Sequence, residues 1–137
     1  CYFCKYLCIN NKEQNILKYD QLESIITSDY NKLQILLNKW NPTLKIATEV
    51  TFNGNFRTKR LDLVIINNSE VFLVKVLKDI NKFDYYKRSY EYIRKEYSTI
   101  YNNLNFKPLF LVYSNSNHIQ DTSIININEL LNLTRRL

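Results

Sequence analysis

The sequence predicts an α/β fold: a mixed sheet flanked by helices, in the order α-α-β-β-β-α-β. Three observations carry that expectation. Residues 44–78 form three short alternating or apolar stretches, separated by Asn53-Gly54 and by Asn67-Asn68-Ser69, which is the pattern of two tight hairpins. Residues 84–102 repeat apolar and aromatic side chains every three to four positions, as a half-buried helix does. The apolar run PLFLVYS then follows, and a strand reached through a helix returns parallel to the strand before it.

The elements can be justified in turn. Residues 12–40 read as two helices. Ile16, Leu17, Leu22, Ile25 and Ile26 make one apolar stripe, and Leu33, Leu36, Leu37 and Trp40 make the next. Ser28-Asp29 supplies an N-cap between them, and Pro42 closes the second. In the first strand Leu44, Ile46, Thr48, Val50 and Phe52 are expected on one face, with Lys45, Ala47, Glu49 and Thr51 on the other. Asn53 and Gly54 tolerate positive φ and suit the turn. The second strand is Lys59 to Ile66. The third, Val71 to Lys78, is nearly all apolar and so is expected in the sheet centre, covered on both faces. The long helix opens near Asp84 and buries Tyr86, Tyr90, Ile93, Tyr97 and Ile100 or Tyr101. A fourth strand starts at Pro108, a polar loop holds Asn115, Asn117 and His118, residues 122–127 form a short edge strand, and Glu129 to Arg136 form a last helix.

Composition narrows the function. The chain of 137 residues is long enough for one domain with one modest core. Its single Gly excludes the glycine-rich loops that cradle phosphates in dinucleotide and P-loop proteins. The net charge of +6 favours a polyanionic partner, the plainer reading being a solvated basic surface. The apolar runs are too short to cross a bilayer and no signal peptide is visible, so an intracellular protein of the nucleus or cytoplasm, not a secreted one, is expected. The absence of Met suggests a piece of a longer protein.

Asp62 is the residue most at odds with its surroundings. It lies within LDLVII, where strand patterning calls for apolar side chains, and a carboxylate there needs a partner. If the second and third strands pair through the Asn67-Asn68 turn, Asp62 faces Lys75. Glu49 would reach Asp62 across the first hairpin. Converging carboxylates hold Mg²⁺ or Mn²⁺, hard cations that take oxygen ligands. Such an ion activates water and steadies charge on a phosphate, and a neighbouring Lys does the same for the developing anion. Each residue also has a plainer reading. Asp62 is then a sheet-edge acid, Glu49 one member of a polar strand face, and Lys75 an ion-pair partner of Asp62.

These residues and this order of elements resemble the PD-(D/E)xK nuclease superfamily, the restriction-endonuclease-like fold. The resemblance covers Leu22 to Ser114. It rests on Glu49, on Arg60-Leu61-Asp62, on the apolar third strand, on the long helix and on PLFLVYS. It implies a single restriction-endonuclease-like domain over residues 11–137, in which Asp62 binds metal and Glu49 assists. It also implies an acid, one residue, and a Lys on the third strand. Here those places read Lys75-Val76-Leu77, so neither matches. Lys78 or Lys95 would have to serve as the lysine, and Lys75 would leave the site weak or dead. The spacing from Asp62 to position 75 is also similar to that in the restriction-like endonuclease of site-specific non-LTR retrotransposons. Those proteins carry an upstream Cys/His zinc motif and a basic, tyrosine-rich helix like YKRSYEYIRKEY, although Leu61 stands here where they have Pro and the upstream His is missing.

The expected function is therefore a metal-dependent DNA endonuclease domain of a larger, mobile-element-type protein with a departed active site. The alternative is a catalytically inactive nucleic-acid-binding module on the same fold, for DNA or RNA. Cutting both strands of a duplex with one such site implies a homodimer. Arg57, Lys59, Arg60, Lys87, Arg88, Tyr92, Arg94 and Lys95 are the candidate nucleic-acid contacts. Their cations would meet phosphates, and Tyr85 and Tyr92, off the buried stripe, would stack on bases or lie against phosphates. A solvated basic face accounts for the same charges. Cys1, Cys4 and Cys8 give C-x2-C-x3-C within a distinct segment, residues 1–10. Zinc takes four ligands, so these three bind it only with ligands outside this chain; otherwise they are ordinary reduced cysteines.

Overall fold

The computed structural model describes residues 30–53, 58–112 and 121–135. The first predicted helix, the Ser28-Asp29 cap expected before the second, Cys1, Cys4, Cys8, Arg57 and His118 lie outside them. The described elements are α1 (Tyr30–Trp40), β1 (Lys45–Asn53), β2 (Thr58–Asn67), β3 (Glu70–Val76), a 3-10 turn (Ile80–Lys82), α2 (Phe83–Ile100), β4 (Asn105–Leu111), β5 (Ile124–Ile125) and α3 (Ile127–Leu133).

The sheet order is β1-β2-β3-β4-β5. β1, β2 and β3 form an antiparallel meander, and β4 joins β3 in parallel after the α2 crossover. The sheet is thus mixed, as the hairpin signals and the crossover required. Its two faces carry separate apolar layers. Leu33 and Leu37 of α1 and Leu130 and Leu131 of α3 pack with Ile46, Ile65, Phe72 and Val74. Phe83, Tyr90, Ile93 and Tyr97 of α2 pack with Val64, Leu73, Phe106 and Phe110 on the other side. β3 feeds both layers, which is why its sequence runs apolar instead of alternating. Among the described residues no helix is long and apolar enough to cross a membrane.

Three expectations need correction. The first concerns β1. Leu44 and Ile46 do face α1 and α3, but Val50 and Phe52 join the α2 layer. The strand changes phase at Glu49, whose φ of 53° is left-handed. β2 changes phase opposite it, because Leu61 and Val64 both lie in the α2 layer, where strict alternation would separate them. Second, β4 begins at Asn105 and carries Pro108 inside it. Phe110 N–H donates to Ser123 C=O at 2.8 Å and Val112 N–H to Ile125 C=O at 2.9 Å, so even-numbered amides face β5. β5 pairs only with Phe110 and Leu111, so the position lacking a donor points to an unpaired margin. Third, α3 starts at Ile127, two residues before the expected Glu129. Asn126 caps it, accepting from Glu129 N–H at 2.9 Å while Glu129 accepts from Asn126 N–H.

Candidate functional site

The ladder between β2 and β3 runs from Asn67↔Glu70 to Leu63↔Val74 and stops there. Continuing the same register places Asp62 opposite Lys75, as the sequence suggested. The stop leaves backbone groups without strand partners in a buried region, and side chains replace the missing ladder. Val76 N–H donates to Asp62 Oδ2 at 2.8 Å. The Tyr90 hydroxyl accepts from Asp62 N–H at 3.4 Å and donates to Val74 C=O at 3.4 Å. Tyr90 is buried, and α2 positions it through the same stripe that holds Ile93 and Tyr97 in the core.

Asp62 itself is 7% exposed. Its Oδ2 lies 3.3 Å from Lys75 Nζ. That ammonium also sits 4.3 Å from the centroid of the Tyr86 ring, a cation–π contact that shields it from water. Tyr30, at the first turn of α1, comes within hydrogen-bonding reach of the Asp62 carboxylate. Burial, together with the Asp62 and Glu49 carboxylates, pushes Tyr30 up to about 12, so its hydroxyl keeps its proton. Burial, with Asp62 adding to it, likewise pushes Tyr90 well above the ordinary tyrosine value. The result is one carboxylate held by an ammonium and an amide, with a phenol within reach.

Glu49 stands opposite Asp62, between the ladder pairs Thr48↔Leu63 and Val50↔Leu61. Its carboxylate is more than half exposed and pairs with Arg60 at 3.4 Å. Among the described residues no three His, Cys, Asp or Glu side chains gather into a group able to hold a metal ion. Mg²⁺ and Mn²⁺ are hard cations that take oxygen ligands. Such ions need several oxygen donors, and one at Asp62 would lie against the Lys75 ammonium.

The other predicted residues scatter. Lys78 follows β3 and Lys95 lies on α2, both exposed, and the ion pair to Asp62 is made by Lys75 instead. Lys87 pairs with Asp121 and Arg94 with Glu91. Arg88 is exposed. Lys59 lies in β2. Tyr92 is half-buried at the margin of the core, its ring 6.0 Å from that of Phe52 and nearly perpendicular to it. Three residues of the Asp62 cluster escaped the sequence reading as polar participants: Tyr30, Tyr86 and Tyr90. A signal existed for two of them, since a tyrosine in a buried helical stripe needs a partner for its hydroxyl or a use for its ring face.

No family model, curated protein or solved structure matches this chain.

Proposed function

We propose that this chain is a nucleic-acid-binding module on a restriction-endonuclease-like scaffold, in which the Lys75 ammonium occupies the place beside Asp62 that a cutting enzyme gives to its metal ion. The observation that carries the reading is the Lys75–Asp62 pair, 3.3 Å apart at the point where β2 and β3 separate. Asp62 keeps a neutralised, enclosed carboxylate and holds the splayed strands together through Val76 N–H. The chemistry left to the domain is association. Its net charge of +6 suits a polyanion. Lys78, Lys82, Arg88 and Lys95 are exposed and form no ion pair among the described residues, so their charges remain for phosphates.

The metal-dependent DNA endonuclease remains the second reading. Glu49 and Asp62 standing opposite each other on adjacent strands favour it. That reading needs an acid at position 75.

One assay set separates the two. Binding to DNA and RNA is measured against salt, with and without Mg²⁺, and nicking of supercoiled plasmid is measured with Mn²⁺. The module predicts affinity that falls steeply with salt at a log–log slope of about −3, unchanged by metal, and no nicking. Nicking by the unaltered chain that vanishes in Asp62→Ala would establish the nuclease instead. Nicking by Lys75→Asp alone would mark the scaffold as a nuclease with one acid missing.

A further inference from the structure

The buried pair connects to the surface through two aromatic rings. The Tyr86 ring covers Lys75 Nζ, and the Tyr85 ring stands 5.2 Å from that of Tyr86 in an edge-to-face arrangement. Tyr85 is 52% exposed, although α2 has an apolar layer in which to bury aromatic rings. Lys82, the residue before α2, and Arg88, one helical turn after Tyr85, lie three residues before and after it in sequence, and both are exposed. Asp84 is the acid of this turn and sits about 100° away. Lys78 adds a further exposed cation just upstream. Among the described residues, the other large exposed rings and aliphatic side chains lack this setting. The Trp40 indole N–H is tied to Leu131 C=O at 2.8 Å, and Ile100 and Leu133 end their helices.

We infer that Tyr85, flanked by Lys82 and Arg88, is a stacking platform for a base of single-stranded nucleic acid. The inference rests on the nucleic-acid-binding reading and narrows it to a substrate class. A base in a duplex has both faces covered by its neighbours, whereas a single strand can offer a face to an exposed phenol ring. Cations on both sides of the ring suit the phosphates before and after the stacked nucleotide. The edge-to-face contact with Tyr86 limits the rotation of Tyr85, so less side-chain freedom is lost on stacking.

The test is fluorescence anisotropy at low salt with three labelled probes of equal length: oligothymidylate, the corresponding abasic strand, and a duplex. The unaltered chain should bind oligothymidylate about tenfold more tightly than the abasic strand. Tyr85→Ala should erase that difference, Tyr85→Phe should keep it, and the duplex affinity should move less than about twofold. Equal binding of oligothymidylate and abasic strand by the unaltered chain overturns the platform, and needs no variant. So does an equal loss on all three probes in Tyr85→Ala. In both cases the binding reading survives. Failure to bind any probe overturns the binding reading itself.

Discussion

Lys75 Nζ and Asp62 Oδ2 lie 3.3 Å apart, with their side chains 18% and 10% exposed. At that burial the two charges have little water to fall back on, and each depends on the other. Removing both partners should therefore cost less than the sum of the two single losses. Lys75→Met and Asp62→Asn are each expected to lower stability by about 2–4 kcal/mol, with the double variant recovering about 1–3 kcal/mol of the summed loss. Urea denaturation of the four proteins gives the coupling. Additive losses would mean that the pair is an incidental contact.

Tyr90→Phe isolates the hydroxyl that bridges Asp62 N–H and Val74 C=O. The ring remains to fill its place against Phe110, whose centroid is 5.6 Å away. What is lost is the hydroxyl's cover of two buried polar groups, each of which costs about 1–3 kcal/mol when orphaned. Both bonds are long at 3.4 Å, so a total near the lower end, about 1–2 kcal/mol, is expected. Amide hydrogen exchange at Asp62 should speed up locally in the variant. Unchanged exchange there would show that the hydroxyl does not guard the end of the ladder.

Much of this site was legible from residue spacing. A short turn at Asn67-Asn68-Ser69 fixes the register of β2 against β3, and register alone puts Asp62 opposite Lys75. The phase change in β1 was not legible. In a sheet covered on both faces, Val50 and Phe52 are apolar whichever way they point, so alternation carries no information about which layer they join. Tyr90 was read as core, which its ring is, but its hydroxyl finds partners 28 and 16 residues away in sequence. Tyr30 joins the site only because α1 crosses the sheet near Asp62, a tertiary fact with no local signature.

Glu49 allows a backbone test. Its φ of 53° lies in the left-handed region, where a residue with a Cβ is disfavoured by roughly 1–2 kcal/mol. Glycine has no such penalty but loses more backbone freedom on folding, about 0.5–1 kcal/mol. Glu49→Gly should therefore match or exceed the parent by up to about 1 kcal/mol. Loss of the exposed pair with Arg60 subtracts little. Glu49→Val, β-branched, should be clearly destabilising. Thermal melts of the three proteins decide the matter. A glycine variant much less stable than the parent would mean that the Glu49 side chain, and not its backbone, holds this bend.

Asp121 sets an acid limit on stability at the other side of α2. Its carboxylate accepts from Ser123 N–H at 2.8 Å, from the Ser123 hydroxyl and from Lys87 Nζ, joining the β5 approach to the helix. Burial alone would raise its pKa. The bonds from Lys87 and Ser123 outweigh burial and hold it at about 2, against an ordinary 3.8. A folded-state value below the unfolded one means that the ionised form is favoured by folding. That contribution is fully present above about pH 4 and disappears as pH falls toward about 2. Asp121→Asn should thus be less stable than the parent at neutral pH, and the gap should close across that acid window. Lys87→Met should open a smaller gap, because the Ser123 bonds remain, and added salt should narrow it, because the Lys87 side chain is 47% exposed. Urea midpoints taken from neutral pH down to about pH 2 trace both curves. A gap for Asp121→Asn that stays constant to the acid end would sever Asp121 from this role.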